Sequence, residues 1–197
     1  MTFYEQEFNL FETKVIKVKD ENFFSYRDDL IEWIENYKNS GVESVQKSNA
    51  GGWQSPSDFY LDKSFEPFME KIWQHIQTTI KGYVEACPTL KNHLDDVEGR
   101  VTLLNAWINY NTTGNYNVLH VHPGSMLSAV LWVKIPEGSG NLVLKDPLEM
   151  NSVWFAPSTH KFEAEESAML MFPAHIPHAV DENVSEDSRI SIALNLG

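Results

Sequence analysis

Two patterns in the second half of the chain are of the kind that does chemistry. The first is histidine. His120 and His122 stand one residue apart. Side chains alternate along an extended strand, so both imidazoles share a face while Leu119 and Val121 take the other. Spaced roughly 7 Å apart along the strand, they can converge on one ion from adjacent coordination positions. Imidazole suits iron, zinc, copper and nickel alike. His178 follows 56 residues after His122, far enough to fold back as a neighbouring strand. An H-x-H pair alone is a weak signal, and by itself it is better read as two surface or hydrogen-bonded histidines.

The second pattern is RISIALNL at the C-terminus. Ile190, Ile192, Leu194 and Leu196 form one face of a strand; Arg189, Ser191, Ala193 and Asn195 form the other. If the apolar face packs against helices, Arg189 and Ser191 turn into the interior. A guanidinium there needs an anion, and its fork matches the two oxygens of a carboxylate. Taken alone, Arg189 is better read as an arginine at a strand start paired with Asp181, Glu182 or Asp187 in the preceding acidic turn.

The elements that must position these residues change character near residue 100. Before it, helical periodicity dominates. An extended segment over 8–18 leads to a helix capped by Asp20 and stopped by Gly41, with Phe23, Leu30, Ile34 and Tyr37 as its apolar stripe and Trp33 beside it. A second helix starts at a Ser64 cap and ends before Pro88. Its stripe of Phe65, Phe68, Met69, Ile72, Trp73, Ile76, Ile80 and Tyr83 is read as a face packed on a sheet rather than a ligand groove. Between them, SNAGGWQSPSDFY (48–60) reads as a turn-rich loop, a cover for a site or a mere connector.

After residue 100, short apolar runs alternate with turn clusters. Strands are predicted over 101–110, 118–122, 127–135, 141–145, 167–172, 178–180 and 189–196. Such a series without intervening helices predicts a mainly β fold, a sandwich or jelly roll with the N-terminal helices packed on one face. The whole chain, 1–197, is read as a single domain, residues 1–100 forming a helical support and 101–197 the jelly roll with the metal site.

Composition narrows the partners. Apolar residues are 42% and charged residues 22% of the 197, which excludes a disordered chain. The net charge of −13 opposes a phosphate backbone, so no nucleic-acid partner is expected. No run is long and apolar enough for a membrane span, and the N-terminus lacks the apolar core of a secretory signal. Cys87 is the only cysteine, which excludes an internal disulfide and fits the reducing cytoplasm.

The order H-x-H, distal histidine, then R-x-S eleven residues on resembles the 2-oxoglutarate/Fe(II)-dependent oxygenases. SGNLVLKDP (139–147) is similar to the glycine-led strand that follows their first metal motif, and AMLMFPAHIPHAV to their strand, FP turn and distal-histidine segment. The closer resemblance is to a bacterial and phage family of such oxygenases, carried by SNAGGWQS, WINYNTTGNYNVLHVHPGSMLSAVLWV, FPAHIPHAV and RISIALN over roughly residues 45–196. That resemblance implies the double-stranded β-helix (jelly-roll, cupin-like) form for the core, Fe(II) and 2-oxoglutarate as cofactor and co-substrate with O2, and substrate hydroxylation as the default outcome. It implies His120, His122 and His178 as the metal ligands and Arg189 and Ser191 as partners of the distal carboxylate. Asn109 is a further candidate there, ahead of Asn117 and Asn195.

One departure stands out, because the family's second ligand is usually a carboxylate. Gly114, six residues before His120 as in related oxygenases, keeps the register and puts His122 at that position. His178 is preferred to His175 as the distal ligand, and His160, His75 and His93 are read as surface residues. Two other readings remain open: a three-histidine zinc lyase or hydrolase, and a cupin-like binding protein without turnover. The prime substrate and the oligomeric state are not legible.

Overall fold

The computed structural model describes residues 12–87, 101–148 and 158–197. Among them, strands form two sheets. The larger runs in the order β1 (Ile16–Lys19), β9 (Ala168–Pro173), β6 (Leu127–Lys134), β11 (Arg189–Leu196), β4 (Leu103–Asn111) and β3 (Trp53–Gln54). The smaller runs β2 (Asn49–Ala50), β5 (Tyr116–His120), β10 (His178–Val180), β7 (Leu142–Lys145) and β8 (Thr159–Phe162). Every pairing is antiparallel. The two sheets with helices at the N-terminal end form the expected double-stranded β-helix.

Period-two alternation decides which residues face where. On β11, Ile190, Ile192, Leu194 and Leu196 join a buried cluster with Ala106 and Ile108 of β4 and with residues of both helices. Those helices are α1 (Arg27–Asn39) and α2 (Glu66–Ala86). They supply Leu30 and Ile34, and Ile72, Ile76 and Tyr83. Each such side chain contributes about 1.5–3 kcal/mol on burial. Phe65, Phe68, Met69, Trp73 and Ile80 belong to or pack on the same cluster, so the aromatic stripe is core. A second cluster, including Trp132, Leu142, Leu170 and Phe172, lies inside the sandwich.

Several expectations need correcting. α1 begins at Arg27, not after Asp20: a 3-10 turn at Phe23–Ser25 precedes it, and Asp20 accepts from the Asn22 amide and the Tyr26 hydroxyl instead. Gly41 does follow the helix, with φ +94°. Ser64 does not cap α2; Asp62 accepts from Ser64 N at 2.8 Å and caps the 3-10 turn (Lys63–Phe65) before it. The first strand covers only Ile16–Lys19, its predicted start at residues 8–11 lying outside the described residues. β5 ends at His120 rather than 122.

The N-terminal region also contributes more than helices. β1 extends one edge of the larger sheet, β3 the other, and β2 an edge of the smaller. The 48–60 segment thus pairs with both sheets, through Asn49 opposite Asn117 and Gln54 opposite Asn109. β8 was missed, its four residues THKF lacking an apolar run. Among the described residues no helix is long and apolar enough to cross a membrane.

Candidate metal centre

β5 and β10 lie side by side, with His178 in register opposite His120. His122 sits two residues past the end of β5, where its amide donates to Ala174 O at 3.1 Å. That bond continues the extended path, so the same-face rule still brings the second imidazole round. The result is a cluster of His120, His122 and His178 whose candidate ligand atoms all lie within 4.8 Å of one another. His122 Nε2 and His178 Nε2 are 3.1 Å apart. Two nitrogens bound cis to one ion at roughly 2.0–2.1 Å would stand about 3 Å apart.

The backbone sets the orientation of two of the rings. His120 Nδ1 donates to Val118 O at 2.7 Å, and His178 Nδ1 to Ile176 O at 2.9 Å. With Nδ1 protonated, the Nε2 lone pairs are left for the centre. Aromatic contacts fix the planes: Trp107 lies 5.3 Å from the His122 ring, and Phe172 meets His178 edge-on at 4.8 Å. Burial depresses all three imidazoles, with mutual repulsion adding at His122 and His178. His122 is pushed down to about 4 and His178 to about 3. At neutral pH the cluster is uncharged and open to a cation.

The other histidines stay apart. His175 is exposed and borders a separate apolar hollow with Tyr83 and Met126. His160 is exposed on β8, its ring 4.6 Å from Phe162. His75 was read as a surface residue and is instead 5% exposed, with Nε2 3.0 Å from Val18 O; its place on the buried side of α2 explains the difference. His93 lies outside the described residues.

The cluster opens inward onto a chamber of about 50 Å³ bordered by Asn109, Asn117, Trp132, Arg189 and Ser191. At roughly 10–15 Å³ per water on this measure, the chamber holds about three to five waters. Arg189 is 3% exposed. Its Nη1 donates to the carbonyls of Ser139 and Asp181, while Nη2 is buried without a partner among the described residues. The acidic turn makes no ion pair with it: the Asp181 carboxylate pairs with Lys161 and that of Asp187 with Lys134, so the charge of Asp181 offsets the burial of Arg189 only in part. Burial pushes the Arg189 guanidinium down to about 10, a group that would gain from an anion. Asn109 Oδ1 is likewise buried and unpartnered. Gly140 allows the close approach behind Arg189, since a Cβ there would stand 2.5 Å from Asp181 O.

Sequence reasoning missed Trp107 and Phe172, the rings that brace the histidines, and Gln54, which borders the outside of the cluster. The signal for the first was present in NAWINYN, where Asn105, Trp107, Asn109 and Asn111 alternate with apolar residues on β4.

Residues 105–195 match the model of the family described as "Putative 2OG-Fe(II) oxygenase". No curated protein matches the chain. Among solved structures the chain is similar to the epimerase SnoN from nogalamycin biosynthesis, described as non-heme and alpha ketoglutarate dependent (TM-score 0.62, 13% identity, 94% of this chain and 78% of that one). It is similar to a prolyl hydroxylase from Trichoplax adhaerens, in complex with a peptide fragment of the hypoxia inducible factor oxygen degradation domain (0.59, 16%, 92% and 82%). It is also similar to HygX from Streptomyces hygroscopicus with nickel and 2-oxoglutarate bound (0.58, 11%, 94% and 83%). At these identities the solved structures establish a shared fold. Residues 105–195, a little under half of the chain, thus match that family's model, and the two sheets around them share the fold of these solved structures.

Proposed function

We propose that this protein is a 2-oxoglutarate-dependent non-haem iron oxygenase whose site lies within a single domain. The observation that carries the reading is Arg189, buried inside the barrel with one guanidinium nitrogen unpaired, in the same chamber as three neutral histidines. His120, His122 and His178 would hold Fe(II). Arg189 would grip the distal carboxylate of 2-oxoglutarate, with Ser191 donating beside it. Asn109 would complete the contact through its amide.

Bound there, Fe(II) and 2-oxoglutarate would activate O2, the oxidant: the keto acid would give carbon dioxide and succinate, taking up one oxygen atom, and the other would be available to oxidise a substrate C–H bond. Hydroxylation is the simplest such outcome. The chain itself orients and shields. The Val118 and Ile176 carbonyls hold the rings in one tautomer, and Trp132 and Phe172 wall the chamber against water. With His122 in place of the usual carboxylate, all three ligands are neutral, so the ion keeps its full charge toward a dianionic co-substrate. A zinc lyase or hydrolase would not need a buried, unpaired guanidinium, which is why that reading ranks below.

The test is an anaerobic titration of Fe(II)-loaded protein with 2-oxoglutarate, following the visible metal-to-ligand charge-transfer band. Its appearance is expected. Absence of the band with iron shown to be bound would remove 2-oxoglutarate from the site.

A further inference from the structure

Trp107 borders the inner chamber and also a second cleft of about 550 Å³ on the outer side of the cluster. His120 and His122 border both spaces as well, so a molecule lying in the outer cleft lies against the proposed metal position. The volume is that of an ordinary ligand site.

The chemistry of the outer cleft differs from that of the chamber. Among the described residues no Asp or Glu borders it. Its one side chain of fixed charge, Lys47, is exposed. Instead it has carboxamides. Gln54 is 5% exposed, and its Oε1 is buried with no hydrogen-bond partner among the described residues. At the other end a relay fixes a donor. Ser128 Oγ donates to Asn195 Oδ1 at 2.8 Å, and Asn195 Nδ2 donates to Asn105 Oδ1 at 2.9 Å. With its oxygen used in this way, Asn105, which borders the cleft, keeps Nδ2 as its remaining hydrogen-bonding group.

These two ends are not adjacent. Gln54 is in register with Asn109, four residues along β4 from Asn105, and four residues span roughly 13 Å of strand. Between them lies Trp107, with Val118 and Val121 also on the cleft. A site with an acceptor at one end, a donor at the other and apolar walls between fits an extended neutral chain with amides spaced along it. An ammonium ligand would find no carboxylate there, and an anion would find only a solvated lysine at the edge.

Resting on the oxygenase reading above, we infer that the outer cleft takes the prime substrate as an extended, uncharged, amide-bearing chain of the peptide class, with Gln54 accepting from one amide and Asn105 donating to another. An asparagine or glutamine side chain offers the same carboxamide chemistry at a single point.

The experiment uses the whole chain loaded with Zn(II), which does not turn over, and 2-oxoglutarate. Side-chain amide resonances are followed by NMR while N-acetylated, C-amidated tetraalanine, free asparagine or maltotetraose is added. The tetrapeptide is expected to shift the Gln54 and Asn105 carboxamides and to bind about five-fold more weakly to Gln54→Leu and to Asn105→Ala, the loss of one neutral hydrogen bond. Leu119→Ala, an exposed site off the cleft, should bind as the parent does. Equal shifts from free asparagine, a preference for maltotetraose, or full tetrapeptide affinity in both cleft variants would each overturn the inference. Calorimetry of 2-oxoglutarate in the same samples separates the two readings. If 2-oxoglutarate binds and the peptide does not, only the cleft assignment falls; if it does not bind, the oxygenase reading falls whatever the cleft does.

Discussion

The two faces of the larger sheet are built from the same strands and do opposite things. On β4, Ala106 and Ile108 point outward into the cluster beneath α1 and α2, while Asn105, Trp107, Asn109 and Asn111 point inward. On β11 the outward face is Ile and Leu and the inward face carries Arg189 and Ser191. The outer face has its partners already, in helices whose apolar stripes match it. The inner face holds Arg189 Nη2, Asn109 Oδ1 and Asn111 Nδ2 buried without partners among the described residues. Leaving a buried polar group unsatisfied costs about 1–3 kcal/mol, and a fold bears such a cost where a ligand removes it. One face therefore stabilises the fold, and the other, on the reading proposed above, is left incomplete for a ligand.

That division is broken most severely from the inside. His178→Ala removes one of three convergent nitrogens and should abolish tight Fe(II) binding, a larger loss than the roughly 10–100-fold seen when only a supporting partner is removed. His175→Ala, at an exposed position away from the cluster, should leave it intact. Equilibrium dialysis of both variants decides; the opposite result would make His175 the distal ligand.

From the outside, Phe65→Ala should destabilise the protein by about 3–5 kcal/mol. Phe65 is 0% exposed and its ring lies 4.7 Å from Trp33 and 4.9 Å from Phe59. Urea unfolding should show that loss, while 2-oxoglutarate affinity of the folded fraction stays unchanged. A large fall in affinity would mean that the two faces are coupled. Arg189→Ala should do the reverse. It should weaken 2-oxoglutarate by about 1.5–3 kcal/mol, the range for a charge-assisted hydrogen bond, and leave stability nearly level because it also removes a buried unpaired group. Unchanged affinity by calorimetry would take Arg189 out of the site.

How far these faces could be read from sequence follows from how each is specified. RISIALNL states its own two faces by alternation, and its predicted bounds match β11 to the residue. The H-x-H pair likewise carries its geometry in its spacing. Helix starts were less legible: Asp20 and Ser64 both look like caps, yet Asp20 is used by Tyr26 and Asn22, and Ser64 lies inside a 3-10 turn capped by Asp62. The 48–60 segment could not be read as strand at all. β2 and β3 are two residues each, and only pairing with β5 and β4 makes them strands. The outer cleft was hidden for the same reason, since Gln54 gains its meaning from standing opposite Asn109.

His75, with Thr79 one of the buried polar side chains of α2, has the smallest expected effect and the one most specific to pH. It is buried on α2, its Nε2 meets Val18 O, and its Nδ1 has no partner among the described residues. Desolvation outweighs the help of the Val18 carbonyl and of Asp20, so its folded pKa lies below the ordinary 6.5. The sign follows from proton uptake. Above pH 6.5 the ring is neutral folded or unfolded, and stability does not depend on it. As pH falls below that value the unfolded chain takes up a proton that the folded chain resists, so stability is lost. His75→Gln keeps a donor for Val18 O and removes the titration. In metal-free protein, unfolding free energies at pH ~7.5 and ~5.5 should therefore differ less for the variant than for the parent. Equal differences would show that the proton-linked loss arises elsewhere, with the three clustered histidines, also depressed by burial, the next groups to replace one at a time.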